Sequence, residues 1–117
     1  ENSQKGMRIH TKFSVIGNEG QPVRAAAYFH WKNGGKLWDD DGRFKSMEGQ
    51  VSVGGERKIA PYHNTVWNDY TMFMPYDQLD VDTSGKHRLK FNVILWDKSG
   101  EARVLGRSNW VNFTYTR

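Results

Sequence analysis

The residues of this chain that could do chemistry are clustered carboxylates, tryptophans and a scatter of cations. Asp39-Asp40-Asp41-Gly42, with Asp80, Asp82 and Asp97 in other loops, can gather oxygens for calcium, a hard ion that takes about six to eight of them. Asp39, Asp41 and Asp97 are the candidate ligands. Their linear spacing is not that of a calcium-binding helix-loop-helix, because Leu37 stands where the first Asp of that loop belongs. An Asp-Gly turn with solvated carboxylates is the plainer reading.

Aromatic side chains suggest a second chemistry. Trp31, Trp38, Trp67, Trp96 and Trp110, with five tyrosines, offer flat rings that can stack on sugar faces, although most are needed for a core. Tyr28 and Trp96 fall on the polar sets of their segments and Trp38 in a loop-like stretch, which makes these three the candidate stacking residues. Cations suggest a third. Arg8 and Lys12 on one segment and Arg88 and Lys90 on another alternate with apolar residues, so they would form a basic face if the two segments were neighbours. Such a face would take anionic ligands; no recognisable nucleic-acid motif accompanies it, and nucleic acid is not the expected partner.

Catalysis finds little support. The four histidines are scattered without a metal-ligand pair at helical spacing, no Ser sits in a Gly-x-Ser-x-Gly elbow, and the absence of Cys removes thiol chemistry and Cys-rich zinc sites. Asn112-Phe113-Thr114 matches a glycosylation acceptor but lies in a predicted strand. The expectation is a noncatalytic chain with no cofactor.

The elements that must position these residues are strands. Met7, Ile9, Thr11, Phe13 and Val15 alternate with polar residues, as do Val23 to Trp31 and Leu89, Phe91, Val93 and Leu95 within His87 to Trp96. The odd-numbered sets of all three are expected to face inward as core. Lys58 to Ala60, Val66 to Met74, Ala102 to Leu105 and Trp110 to Tyr115 are further strands. Val66 to Met74 is partly apolar on both faces, which suggests a central position. Leu37-Trp38, Phe44 to Met47 and Gln50 to Val53 are short extended fragments. Pro75 ends its strand, leaving Tyr76 to Leu79 as a single turn, and Asn33-Gly34-Gly35-Lys36 makes a turn after the second strand.

With 117 residues, 37% hydrophobic and 14% aromatic, the chain can bury one core that leans on large side chains. Seven to eight strands divided by turn signals predict an all-β fold: a single antiparallel two-sheet sandwich, immunoglobulin-like in the broad sense, with a small β-barrel as the alternative. Residues 1–6 are expected to be a disordered tail and 7–117 the sandwich. The net charge of +4 favours solubility and, weakly, anionic partners. No apolar run is long enough for a membrane span, and the polar start is not a signal peptide. Because the first residue is Glu rather than Met, the chain reads as a mature product or a domain of something larger.

Gly6-Met7-Arg8-Ile9-His10, Ala26-Ala27-Tyr28-Phe29, Met74-Pro75-Tyr76 with Leu79, and Gly85-Lys86-His87-Arg88-Leu89 running to Leu95-Trp96-Asp97 together resemble a small bacterial β-sandwich domain of uncharacterised function. Domains of that kind are appended to larger multidomain proteins, beside caspase-like peptidase or helical-repeat modules. The resemblance spans nearly the whole chain and implies an accessory role without catalytic residues. Trp96-Asp97 is also similar to a step in calcium-dependent lipid-binding sandwiches of the protein kinase C type, but Lys98 and Ser99 stand where further aspartates belong. The function expected from the sequence is therefore an interaction module that contacts a protein partner or a neighbouring domain. A carbohydrate-binding module using exposed aromatics is the alternative, and calcium-dependent or anionic-ligand binding a third reading.

Overall fold

The period-two segments form antiparallel strands in a computed structural model that describes residues 5–37, 49–79, 81, 83–100 and 102–117. In chain order these are β1 (Gly6–Ile16), β2 (Pro22–Trp31), β3 (Ser52–Gly54), β4 (Lys58–Ile59), β5 (Asn64–Pro75), β6 (Lys86–Asp97), β7 (Arg103–Arg107) and β8 (Val111–Thr116). A single 3-10 turn, Tyr76–Leu79, follows Pro75, whose ring cannot donate to a ladder. The first strand begins at Gly6, and the Lys5 carbonyl accepts the Tyr76 N–H at 3.1 Å, so Lys5 and Gly6 belong to the fold rather than to a tail.

Two antiparallel sheets of unequal width result, and no barrel closes. β1 and β5 make a two-stranded sheet; the other runs β3-β2-β6-β7, with β4 sharing the β3 edge of β2 and β8 sharing the β7 edge of β6. Register explains the sharing. β7 lies along Ile94 to Asp97 and β8 along Lys86 to Phe91, so they are one edge strand broken at Ser108–Trp110. The break is bridged locally: the Ser108 N–H donates to the Val93 carbonyl, and the Ser108 hydroxyl accepts the Val93 N–H, each at 2.8 Å. β3 and β4 likewise divide the other edge around Gly55 to Arg57. The predicted turn at Asn33 to Lys36 forms, with Gly34 at φ +115°, a conformation that a Cβ would strain.

Between the sheets lie Ala25, Ala27, Phe29, Leu89 and Phe91 from the wide sheet and Ile9, Tyr70, Met72 and Met74 from the narrow one. Phe29 anchors this core, with Phe91 at 5.6 Å and Phe113 edge-on at 6.0 Å between ring centroids. Tyr70 ties the layers: its hydroxyl donates to the Glu56 carbonyl at 2.6 Å and accepts the Ala25 N–H at 3.3 Å. Burial raises the pKa of this phenol above its ordinary value, since the site disfavours a phenolate.

Three expectations about faces are corrected. β5 is not central, because it pairs with β1 alone. It shows apolar residues on both apparent faces because the register slips between Thr11↔Tyr70 and Phe13↔Trp67, where Asn68 and Asp69 together oppose Lys12. This bulge turns Trp67 to the same side as Tyr70. Trp31, expected inside, is 39% exposed at the end of β2, with the His87 ring at 6.1 Å between centroids. Val93 and Leu95 point between the sheets as expected yet are only half-buried, unlike Leu89 and Phe91 of the same strand.

Candidate functional site

The half-burial of Val93 and Leu95 follows from sheet width. The narrow sheet brings β5 to β3, and nothing among the described residues continues it past β1. The flank of the sandwich on the β7 side is therefore open. A cavity of about 250 Å³ occupies it, with Ala25, Val93, Leu95 and Leu105 on one wall and Thr11 and Phe13 on the other. Phe13 is held upright by Trp67 and Tyr70, with ring centroids at 5.2 and 5.3 Å. Leu105 reaches the cavity through a bulge: the pairing steps from Leu95↔Gly106 to Trp96↔Val104, so Leu105 is the extra residue of β7.

The rim of this groove is polar and positive. Lys12 and Ser14 border it on β1, Arg107 and Ser108 on the β7 side. Among the described residues neither Lys12 nor Arg107 has a carboxylate within ion-pair distance. β1 itself is bonded along one edge only, to β5, so alternate N–H and C=O groups of its other edge face outward without a strand partner among the described residues.

The outer face of the wide sheet carries the aromatic candidates. Tyr28 and Trp96 both lie there, half-buried, and the Trp96 indole N–H donates to the Tyr28 hydroxyl at 2.9 Å. Lys90 is on the same face with its ammonium 4.3 Å from the ring centre of Trp110, a cation–π contact. Trp110, which the sequence reading left out of the site, is 47% exposed. The edge of His30 meets it at 4.8 Å. Burial holds the His30 pKa below its ordinary value, and the nearby Lys90 and Lys36 charges act in the same direction against a backbone contact from Gly34. The buried Gln50 amide fixes this ring, donating to the Phe29 carbonyl at 2.9 Å and lying 3.0 Å from His30 Nε2, which accepts from it in the neutral form.

The four cations do not form one patch. Arg88 and Lys90 lie on the outer face of the wide sheet, Arg8 and Lys12 on β1 of the narrow sheet, so the body of the sandwich separates the pairs. Asp97, offered as a metal ligand, is instead a buried hinge post for the β6–β7 hairpin. One of its oxygens accepts the Ser99 N–H at 2.9 Å and the Ser99 hydroxyl at 2.6 Å, and the other accepts Arg103 Nε at 3.0 Å. Asp39, Asp41 and Trp38 lie outside the described residues. Among those described, no group of three potential metal ligands converges.

The Ser99 hydroxyl and N–H, then Arg103 and Asn18, hold the Asp97 carboxyl well below the usual carboxylate range. A depressed folded pKa gives stability that is complete above the unfolded value of 3.8 and fades as pH falls toward the folded one. Asp97→Asn is therefore expected to melt several degrees lower than the native protein at pH 7, with the gap narrowing as thermal melts are repeated from pH 4 downward. A gap that stays constant to pH 2 would assign the stabilisation to shape rather than charge.

Comparison with protein-family models, curated proteins and solved structures finds no match to this chain.

Proposed function

We propose that this sandwich is a noncatalytic interaction module, an accessory part of a larger protein, that docks a protein partner or a neighbouring domain along its open flank. The observation that carries the reading is the conjunction of a long strand edge, that of β1, unpaired among the described residues, with an apolar groove directly beside it. Main-chain groups on such an edge supply hydrogen bonds, and pockets for side chains supply selectivity. Lys12 at the edge of β1 adds a charge preference.

Panning displayed linear peptides against the folded domain tests this. Selected peptides should raise the melting temperature in proportion to the logarithm of their concentration and slow hydrogen exchange at β1 amides. Ligands that protect only the outer face of the wide sheet would refute the flank as the docking surface.

A second reading has its own observation, the side-by-side Tyr28 and Trp96 rings with Trp110 nearby on one solvent face. That face would suit a glycan. The flank is favoured because Trp96 already spends its N–H on Tyr28 and Lys90 covers one side of Trp110, whereas the groove has no occupant among the described residues. Retarded migration in a polysaccharide gel, lost in Trp96→Ala, would reverse that preference.

A further inference from the structure

The groove and the edge together specify what kind of segment fits. A strand added to β1 would continue the narrow sheet over the uncovered part of the wide one, and every second side chain of it would point down onto Val93, Leu95 and Leu105. An apolar cavity of ~150 Å³ already holds a benzene ring. The space here, about 250 Å³, admits one large or two smaller apolar side chains.

A second copy of the chain does not suit this edge. In an antiparallel β1–β1 pairing, opposed residues share a face, so a register that keeps both apolar faces on one side sets even-numbered residues against even-numbered ones. Arg8 and Lys12 of one copy would then oppose Arg8 and Lys12 of the other, while His10 is already bonded to Asp69 at 2.7 Å. Like charges directly opposite are destabilising. Lys12, which has no carboxylate within ion-pair distance among the described residues, suits a strand whose outward positions are acidic. Lys12 at an edge also discourages indiscriminate strand pairing, which is the other half of selectivity.

We infer that the flank accepts an extended segment of another protein in which apolar residues alternate with Asp or Glu. It adds as a strand to the free edge of β1, seats its apolar side chains on Val93, Leu95 and Leu105, and presents its carboxylates on the outer side of the narrow sheet, next to Lys12. This inference rests on the docking reading above, and the experiment separates the two.

Four synthetic peptides of one length serve as probes: alternating Val/Leu with Glu, the same pattern with Lys in place of Glu, and two forms of the Glu peptide N-methylated on one or the other set of alternate amides. Binding is followed by titration calorimetry, and the site by amide shifts of the labelled domain. The Glu peptide is expected to bind, to move the β1 and Leu105 amides, and to weaken as salt is raised; the Lys peptide should bind at least about tenfold more weakly, as opposed like charges demand. N-methylation on the edge that faces β1 should abolish binding without touching the domain's own fold, so both methylation phases are made. Equal binding of Glu and Lys peptides would overturn the charge assignment, and full binding by both N-methylated forms would overturn strand addition, while leaving a docking flank in place. If none of the peptides binds but a panned ligand protects the flank, strand addition fails and the docking reading survives. If nothing binds the flank, both fall.

Discussion

Truncating Leu89 to alanine is expected to cost about 3 kcal/mol, whereas the same truncation of Leu95, further along the same strand and on the same face, costs about 1 kcal/mol. Leu89 is completely buried, paired across the sheet with Trp31 and Phe113, and its removal leaves a cavity that the Phe29–Phe91–Phe113 cluster cannot collapse into. Leu95 is half-buried on the floor of a groove that is already open, so its truncation forfeits part of one side chain's transfer energy and creates no new enclosed void. Urea denaturation with matched m-values measures both. Equal losses would mean that Leu95 is covered in solution, and would remove the groove on which the functional reading stands.

Tyr70→Phe should destabilise by about 2 kcal/mol although it deletes one oxygen. That oxygen satisfies two main-chain groups, the Ala25 N–H and the Glu56 carbonyl, and phenylalanine would leave the buried Ala25 N–H without its acceptor. The Gly55 backbone lies so close to the ring that a Cβ there would meet it. The substitution has a second signature. The folded-state pKa of Tyr70 is raised, so its contribution is complete below the unfolded value of 10.0 and is lost as pH climbs above it. The native protein should therefore lose stability more steeply than Tyr70→Phe above pH 10, which parallel denaturation curves would reveal. Parallel alkaline limbs would sink the assignment of Tyr70 as the strut between layers.

These two predictions mark where the sequence could and could not be read. Alternation is a local property, and it locates β1, β2, β6 and β8 to within a residue or two because each has one wet face. The same alternation makes Leu95 indistinguishable from Leu89, since it reports which way a side chain points and not whether a second sheet arrives above it. Plain alternation along Val66 to Met74 sets Trp67 opposite Tyr70, but a bulge at Asn68–Asp69 resets the period, and no residue type there announces it. Leu105 enters the groove through another bulge, for which Gly106 beside it is a faint signal. Tyr28 and Trp96 were legible as outward residues, but their mutual hydrogen bond depends on Arg24↔Trp96 and Tyr28↔Asn92 register, which only the paired strands reveal. Whether Arg8 and Lys12 neighbour Arg88 and Lys90 is open in the sequence, which does not say which strands share a sheet.

The interrupted edges of the wide sheet bear on stoichiometry. One edge is split at Gly55 to Arg57 and the other at Ser108 to Trp110, while β5 is bulged; β1 carries no extra residue. A docking chain thus finds a single uninterrupted template on each domain. Association through it would stop at a one-to-one complex, a monovalent cap on its partner and not a link in a growing fibre.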